Sequence, residues 1–275
     1  MTFENSWSAV FNPDLATDYF VRHAHRPFAP ILTGYDSLNA WWLAELSRLI
    51  YRRESDGIGA QPPGPTRGDV LASVGLRETA FFNHGGSQAA LVEPAAATAA
   101  PFAAIIFRGS DDMQAWFDFN LGLVPVPWEQ GGTVHHGFLE ALDAIWNPIL
   151  DALEALRDDT PVIYAGHSLG GAMATLAASR RLPALTYTFG SPRVGDAAFG
   201  ATVPRKGFFR IVNNRDIVTD VPVGLAHVGE LHYITHNGQI RVDPDSAVVF
   251  RDRLKRDWSF ELKRNLLEVI TGPPQ

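Results

Sequence analysis

Gly166-His167-Ser168-Leu169-Gly170 sets one hydroxyl between two glycines. A serine hydroxyl is a poor nucleophile at neutral pH. To attack a carbonyl carbon it needs a base for its proton, an acid to orient that base, and donors for the developing oxyanion. The flanks fit such a role. Pro161 to Ala165 reads as a short apolar strand rich in Val, Ile and Tyr, and Gly171 to Ser179 has the composition of a helix. A strand, a tight Gly-x-Ser-x-Gly turn and a helix together form a nucleophile elbow. The turn predicts a strained backbone at Ser168, with glycines that let neighbouring chain approach. The helix begins just after the serine, so its free N–H groups and positive dipole end face a forming oxyanion. A serine that merely caps a helix after a Gly-rich connection has the same five letters. The strand before and the helix after favour the nucleophile.

The acid and the base follow such a serine in the order Ser, acid, His. Asp196 and Asp216 both come after strands that follow Ser168. Asp196 succeeds Gly195 and reads as a helix cap. Asp216 directly follows the apolar strand Phe208–Asn213, and Ile217-Val218 can hold its loop against the core. Asp216 is therefore the preferred acid, against the alternative of a turn carboxylate bonded to its own backbone.

The elements that must position these groups are legible along the chain. Tyr35 to Arg53 predicts an amphipathic helix with Leu38, Trp42, Leu46, Leu49 and Ile50 on one face and Asp36 or Ser37 at its start. Asp56 to Asp69 is a Pro/Gly-rich loop. Thr79 to His84 and Gln88 to Val92 flank Gly85-Gly86-Ser87 and predict a hairpin. Ala103 to Phe107 is a buried strand. Val134 to Phe138 leads into a helix from about Leu139 to Arg157, with Pro148 inside it. Leu185 to Phe189 is a strand, and Asn237-Gly238 joins His232–Thr235 to Gln239–Val242 in a second hairpin. Val249 to Ile270 has apolar residues at helical spacing and a basic remainder. Such a helix suits either a membrane surface or docking on its own domain, and docking is preferred. Alternating strands and helices indicate an α/β protein with a mostly parallel sheet and helices on both faces. The elbow narrows this to an α/β-hydrolase fold, read as one domain over 1–275 with 1–34 as a wrapping N-terminal segment.

Composition bounds the rest. The chain has 275 residues, of which 46% are hydrophobic and 19% charged, as in an ordinary globular domain. A net charge of −7 argues against nucleic acid. The absence of cysteine excludes disulfides and thiolate metal sites. No secretory signal is legible in the first twenty residues and no window reaches the length of a membrane span, which gives a cytoplasmic expectation. Asp111 to Trp128 carries Trp116, Phe117, Phe119, Leu121 and Leu123 among acids and Gly; it suits a pocket-covering amphipathic helix as well as an ordinary packing helix.

Taken together, these motifs resemble the class 3 lipases, the fungal triacylglycerol lipases and their bacterial relatives. The matching pieces are Phe107-Arg108-Gly109-Ser110 with Trp116 downstream, Val134 to Phe138, Gly166 to Ala172, Phe189 to Gly195, Asn214 to Val218 with Pro222, and His227 to Glu230. The resemblance implies an esterase acting on lipid esters, with Ser168 as nucleophile and Asp216 as acid. It implies oxyanion donors at the Leu169 N–H and Ser110, and a lid over 111–128 that includes Trp116 and Phe117. It implies structural roles for His135 and His227. It also implies a lipid or ester substrate, transient contact with a lipid interface, no cofactor or metal, and no protein partner.

One piece departs from the pattern. The family's histidine lies after the hairpin that follows Asp216, and no histidine follows His236 in this sequence. Three accounts stand, taken in this order: the histidine lies beyond Gln275; the protein is a degenerate hydrolase that binds acyl ligands without turnover; or His236 or His232 serves as an unorthodox base.

Overall fold

A computed structural model describes residues 18–21, 28–52, 64–110, 124–214, 216 and 218–253. The first helix, α1 (Ser37–Leu49), starts where the Asp36 side chain accepts the Asn39 N–H at 2.8 Å. A second helix, α2 (Arg67–Ser73), begins inside the segment read as a loop, because Thr66 and Asp69 form a reciprocal capping box. Strands β1 (Leu76–His84) and β2 (Ser87–Pro94) form the expected hairpin, with Gly85 and Gly86 both at positive φ in its two-residue turn.

The remaining elements are β3 (Ala103–Phe107), β4 (Pro125–Pro127), β5 (Thr133–His135), α3 (His136–Glu154), β6 (Val162–His167) and α4 (Leu169–Arg180). After them come β7 (Leu185–Phe189), the short α5 (Ala197–Gly200), β8 (Phe208–Asn213), β9 (Glu230–Ile234) and β10 (Ile240–Val242). Residues 246–253 are also helical. Eight strands form one sheet in the order β1-β2-β3-β6-β7-β8-β9-β10. From β3 to β9 the pairs are parallel, and the two ends are closed by antiparallel hairpins.

Residue alternation builds two cores, one on each face. Ala103, Ile105 and Phe107 face Leu142, Ile145 and Ile149 of α3 and the length of α4. Ala104 and Ile106 face Trp42, Leu43 and Leu46 of α1. Every residue from Gly170 to Ser179 is buried, so α4 is held between the sheet and α3. On the other face, Trp42 stacks on Phe28 at 5.5 Å and lies 5.0 Å from Phe20, which docks two pieces of the N-terminal segment.

Three sequence expectations shift. Helix α3 starts at His136, three residues early, because His135 Nδ1 accepts the Gly137 N–H and caps it. The end of the lid-like segment belongs to the scaffold: β4 pairs with β5, and buried Trp128 donates its indole N–H to Ser179 Oγ at 2.9 Å. The segment 111–123, with Trp116 and Phe117, lies outside the described residues, as do 1–17, 22–27 and the basic stretch from 254 onward.

Trp42→Ala is expected to cost about 3–5 kcal/mol, the range for truncating a buried aromatic. Urea unfolding followed by far-UV circular dichroism checks this. A loss below about 1 kcal/mol would mean that the aromatic cluster stands outside the cooperative core.

Candidate active site

Strand β6 ends at His167 and α4 opens at Leu169, leaving Ser168 between them at φ 56° and ψ −125°. A non-glycine residue holds this conformation only when its surroundings fix it. Here the Ser168 N–H donates to the Phe189 carbonyl at 2.9 Å, and its own carbonyl accepts the N–H groups of Gly171 and Ala172 at 2.9 and 3.2 Å. The Ser168 side chain makes no capping bond to α4, so the plain helix-cap reading does not hold. The glycines follow from the same close approach. A Cβ on Gly166 would collide with the backbone of Gly170, and a Cβ on Gly170 with the Phe107 carbonyl. One on Gly171 would meet Ser191 Cβ at 2.8 Å.

The two residues expected to supply oxyanion donors lie on segments that adjoin this turn. The N–H of Leu169 is the first of α4. Beyond β3, a Cβ on Gly109 would collide with Tyr51 Oη and come within 2.7 Å of the His167 carbonyl, so half-buried Ser110 begins its loop beside the elbow.

Asp216 comes off β8 as expected. Its N–H donates to the Asn213 carbonyl at 3.0 Å, and its Oδ1 accepts the Val218 N–H at 2.9 Å. Gly190, at φ 56°, passes so close that a Cβ there would strike Asp216 Oδ2 while lying 3.6 Å from His167 Nε2. The carboxylate and the His167 ring therefore flank one glycine beneath the elbow. Burial pushes the Asp216 carboxyl up to about 6, opposed by the Val218 N–H and Arg253 and reinforced by Asp220. Burial lowers His167 to about 4, and its Nδ1 lies 3.0 Å from Tyr51 Oη.

Tyr51, His167 and Arg253 are parts of this region that sequence reasoning did not assign. Arg253 donates to the Asp216 carbonyl at 3.4 Å and to Thr219 Oγ1 at 3.2 Å, and pairs with Asp220. No local signal marks their meeting, since they come from just beyond α1, the last position of β6 and the helix at 246–253. Asp196, the rejected acid, caps α5 by accepting the Phe199 N–H at 2.8 Å.

The two histidines considered as unorthodox bases are held by other acids. His236 pairs through Nδ1 with Asp252, which also accepts the His236 N–H at 2.9 Å and the Tyr233 hydroxyl at 3.0 Å. His232 stacks on Tyr35 at 3.5 Å and pairs with Glu230 at 2.7 Å. Neither bonds Asp216. His227 Nε2 lies 2.7 Å from the Thr219 carbonyl, and burial together with Arg210 lowers its pKa to about 3. Among the described residues no three His, Asp or Glu side chains are grouped to hold a metal ion.

A mostly parallel sheet, a strained serine between β6 and a buried helix, and an aspartate after β8 define an α/β-hydrolase fold. The family described as Lipase (class 3) matches residues 104–225, which span the elements of this site. A lipase of Rhizomucor miehei is 39% identical over 152 residues, 48% of this chain and 42% of that protein. A secreted mono- and diacylglycerol lipase of Fusarium solani is 37% identical over 42% of this chain and 38% of its own. A solved triacylglycerol lipase, described as having a serine-protease triad at its catalytic centre, superposes with a TM-score of 0.54 at 31% identity. That superposition covers 63% of this chain and 72% of the other. The chain belongs to the class 3 lipase family. The matched stretch spans about two fifths of the curated relatives' length.

Two expectations change with these relatives. The cytoplasmic expectation is overturned, because the Fusarium solani protein is named as secreted. The expectation of no protein partner does not follow from the family either, because the Rhizomucor miehei lipase is also solved in a complex with a propeptide.

His167 and His227 make stability fall in acid. Both stay neutral in the folded protein down to about pH 4 and about pH 3, whereas an unfolded histidine takes its proton near 6.5. Their contribution is complete above about pH 6.5 and is lost as pH drops below it, by up to about 1.4 kcal/mol per pH unit for each. Asp216 acts in the opposite sense: its raised pKa favours the folded state as pH falls from about 6 toward 3.8, offsetting one histidine. Thermal midpoints between pH 7 and pH 4.5 should therefore fall. His167→Gln should flatten the profile, provided the glutamine keeps the Tyr51 contact.

Proposed function

We propose that the protein is a serine carboxyl-ester hydrolase acting on lipid esters, with Ser168 as its nucleophile. Ser168 Oγ attacks the ester carbonyl carbon, the bond to the alcohol oxygen breaks, and the alcohol leaves with a proton. Water then attacks the acyl-enzyme, releasing the fatty acid and restoring the hydroxyl. The Leu169 N–H and Ser110 hold the oxyanion, and Asp216 orients the base. The proposal treats 1–275 as one domain whose segment 111–124, with Trp116 and Phe117, covers the acyl pocket and touches the lipid interface.

The observation that carries this reading is the strained, uncapped Ser168 at the opening of α4. The names of the relatives favour acylglycerol substrates and an extracellular place of action. A second reading, an acyl-binding protein without turnover, draws on the commitment of His236 and His232 to Asp252 and Glu230.

A fluorophosphonate probe separates the two. Labelling that disappears in Ser168→Ala, together with a loss of p-nitrophenyl ester hydrolysis of about 10³-fold or more, supports the enzyme. A protein that neither labels nor turns over esters would leave the binding reading. For the enzyme, the rate should fall as pH drops through about 6, because Asp216 must be ionised to orient the imidazolium. Asp216→Asn should cost on the order of 10³–10⁴-fold in kcat.

A further inference from the structure

One strand over from the elbow, Thr188 of β7 is the register partner of Gly166 on one side and of Arg210 of β8 on the other. By alternation both side chains lie on the sheet face that Phe208 shares with α3 and α4. Thr188 Oγ1 and Arg210 Nε are buried atoms without a hydrogen-bond partner. Arg193, half-buried on the loop after β7, lies close enough for its charge to disfavour that of Arg210. Among the described residues neither Arg193 nor Arg210 has an ion-pair partner. Asp243 is the acid whose field reaches Arg210, and it is already paired with Arg205.

The neighbouring groups record the same excess of positive charge. Burial holds the Arg210 guanidinium down to about 10, opposed by the field of Asp243 and helped by those of Arg193 and Arg205. Next to it, His227 is kept neutral by burial and by the fields of Arg210, Arg193 and Arg253. A half-buried guanidinium whose acid within reach, Asp243, is already paired with Arg205 is costly. A bound water would satisfy the threonine hydroxyl but would leave the repulsion between Arg193 and Arg210 unrelieved.

We propose that Arg193, Arg210 and Thr188 form a binding site for a small oxyanion of the phosphate class. The planar guanidinium forks suit bidentate recognition of such oxygens, and the hydroxyl supplies a further donor. The site is coupled to the Asp216 loop through backbone. The Arg193 N–H donates to the Val221 carbonyl at 2.9 Å, and His227 holds the Thr219 carbonyl. An anion here braces the turn that follows Asp216 without touching the reacting atoms.

The test reads folding, so its outcome is independent of whether the protein hydrolyses esters. Inorganic phosphate is titrated against the thermal midpoint at constant ionic strength held with sodium chloride, for the wild type, Arg210→Gln and Arg193→Gln. The expected result is a saturable rise in the wild type, about 5 °C at a hundredfold excess over Kd, that both variants mostly lose. A rise of equal size in all three proteins, or none in the wild type, overturns the site. Should either variant fail to fold, phosphorus NMR of wild-type protein decides: saturable broadening of the phosphate resonance supports the site, and an unbroadened resonance overturns it.

Discussion

The approach of α4 to the ends of β3 and β6 is the constraint from which the rest of this structure follows. The helix starts so close to the sheet that side chains cannot be accommodated at Gly166 and Gly170, and Gly171 rests against Ser191. That closeness forces the chain to turn within one residue, and the residue in the turn is Ser168. Its positive φ is tolerated because Phe189 on one side and the first turn of α4 on the other both hold its backbone. The strain thus depends on the sheet and the helix being in place, and the burial of the whole of α4 secures the helix.

Around this turn the protein keeps water away from groups that water would otherwise charge or ionise. Burial lowers His167 to about 4 and raises Asp216 to about 6, which inverts the usual order of an imidazole and a carboxyl. The Asp216 loop is tied to three different elements. It starts from β8, it is stitched to β9 through the Asn214 N–H and the Ile234 carbonyl, and Arg253 of the last described helix grips its backbone and Thr219. A carboxylate held in this way is positioned by tertiary contacts, and its elevated pKa follows from the same enclosure.

The family likeness and the architecture cover different ground. The match over 104–225 includes β3, the elbow and Asp216. Outside it, α1 packs the second sheet face, and just beyond its last turn Tyr51 reaches His167 under the elbow. The N-terminal aromatics Phe20 and Phe28 dock on Trp42 of that helix. This part of the chain supports the site from beneath by packing, where many combinations of apolar residues serve equally well.

What the sequence determined by itself was local. The elbow, the two hairpins, the strands β3, β7 and β8, the Asp36 cap, the cap at Asp196 and the placing of Asp216 after β8 all rest on residue types at fixed short spacing. The physical cause of each, a glycine at positive φ, an alternating apolar run or a capping carboxylate, acts within a few residues. The start of α3 was misjudged because a histidine cap is an uncommon signal. The end of the lid-like segment was misjudged because nothing within 124–128 announces its pairing with β5 or the Trp128 bond to Ser179. The tertiary structure alone decided which groups meet at a distance. Tyr51 with His167, Arg253 with the Asp216 loop, His236 with Asp252 and Arg193 with Arg210 are separated in sequence or on different elements. Their partners, and the burial that shifts their charges, come from the packing of the sheet and helices, which no spacing along the chain encodes.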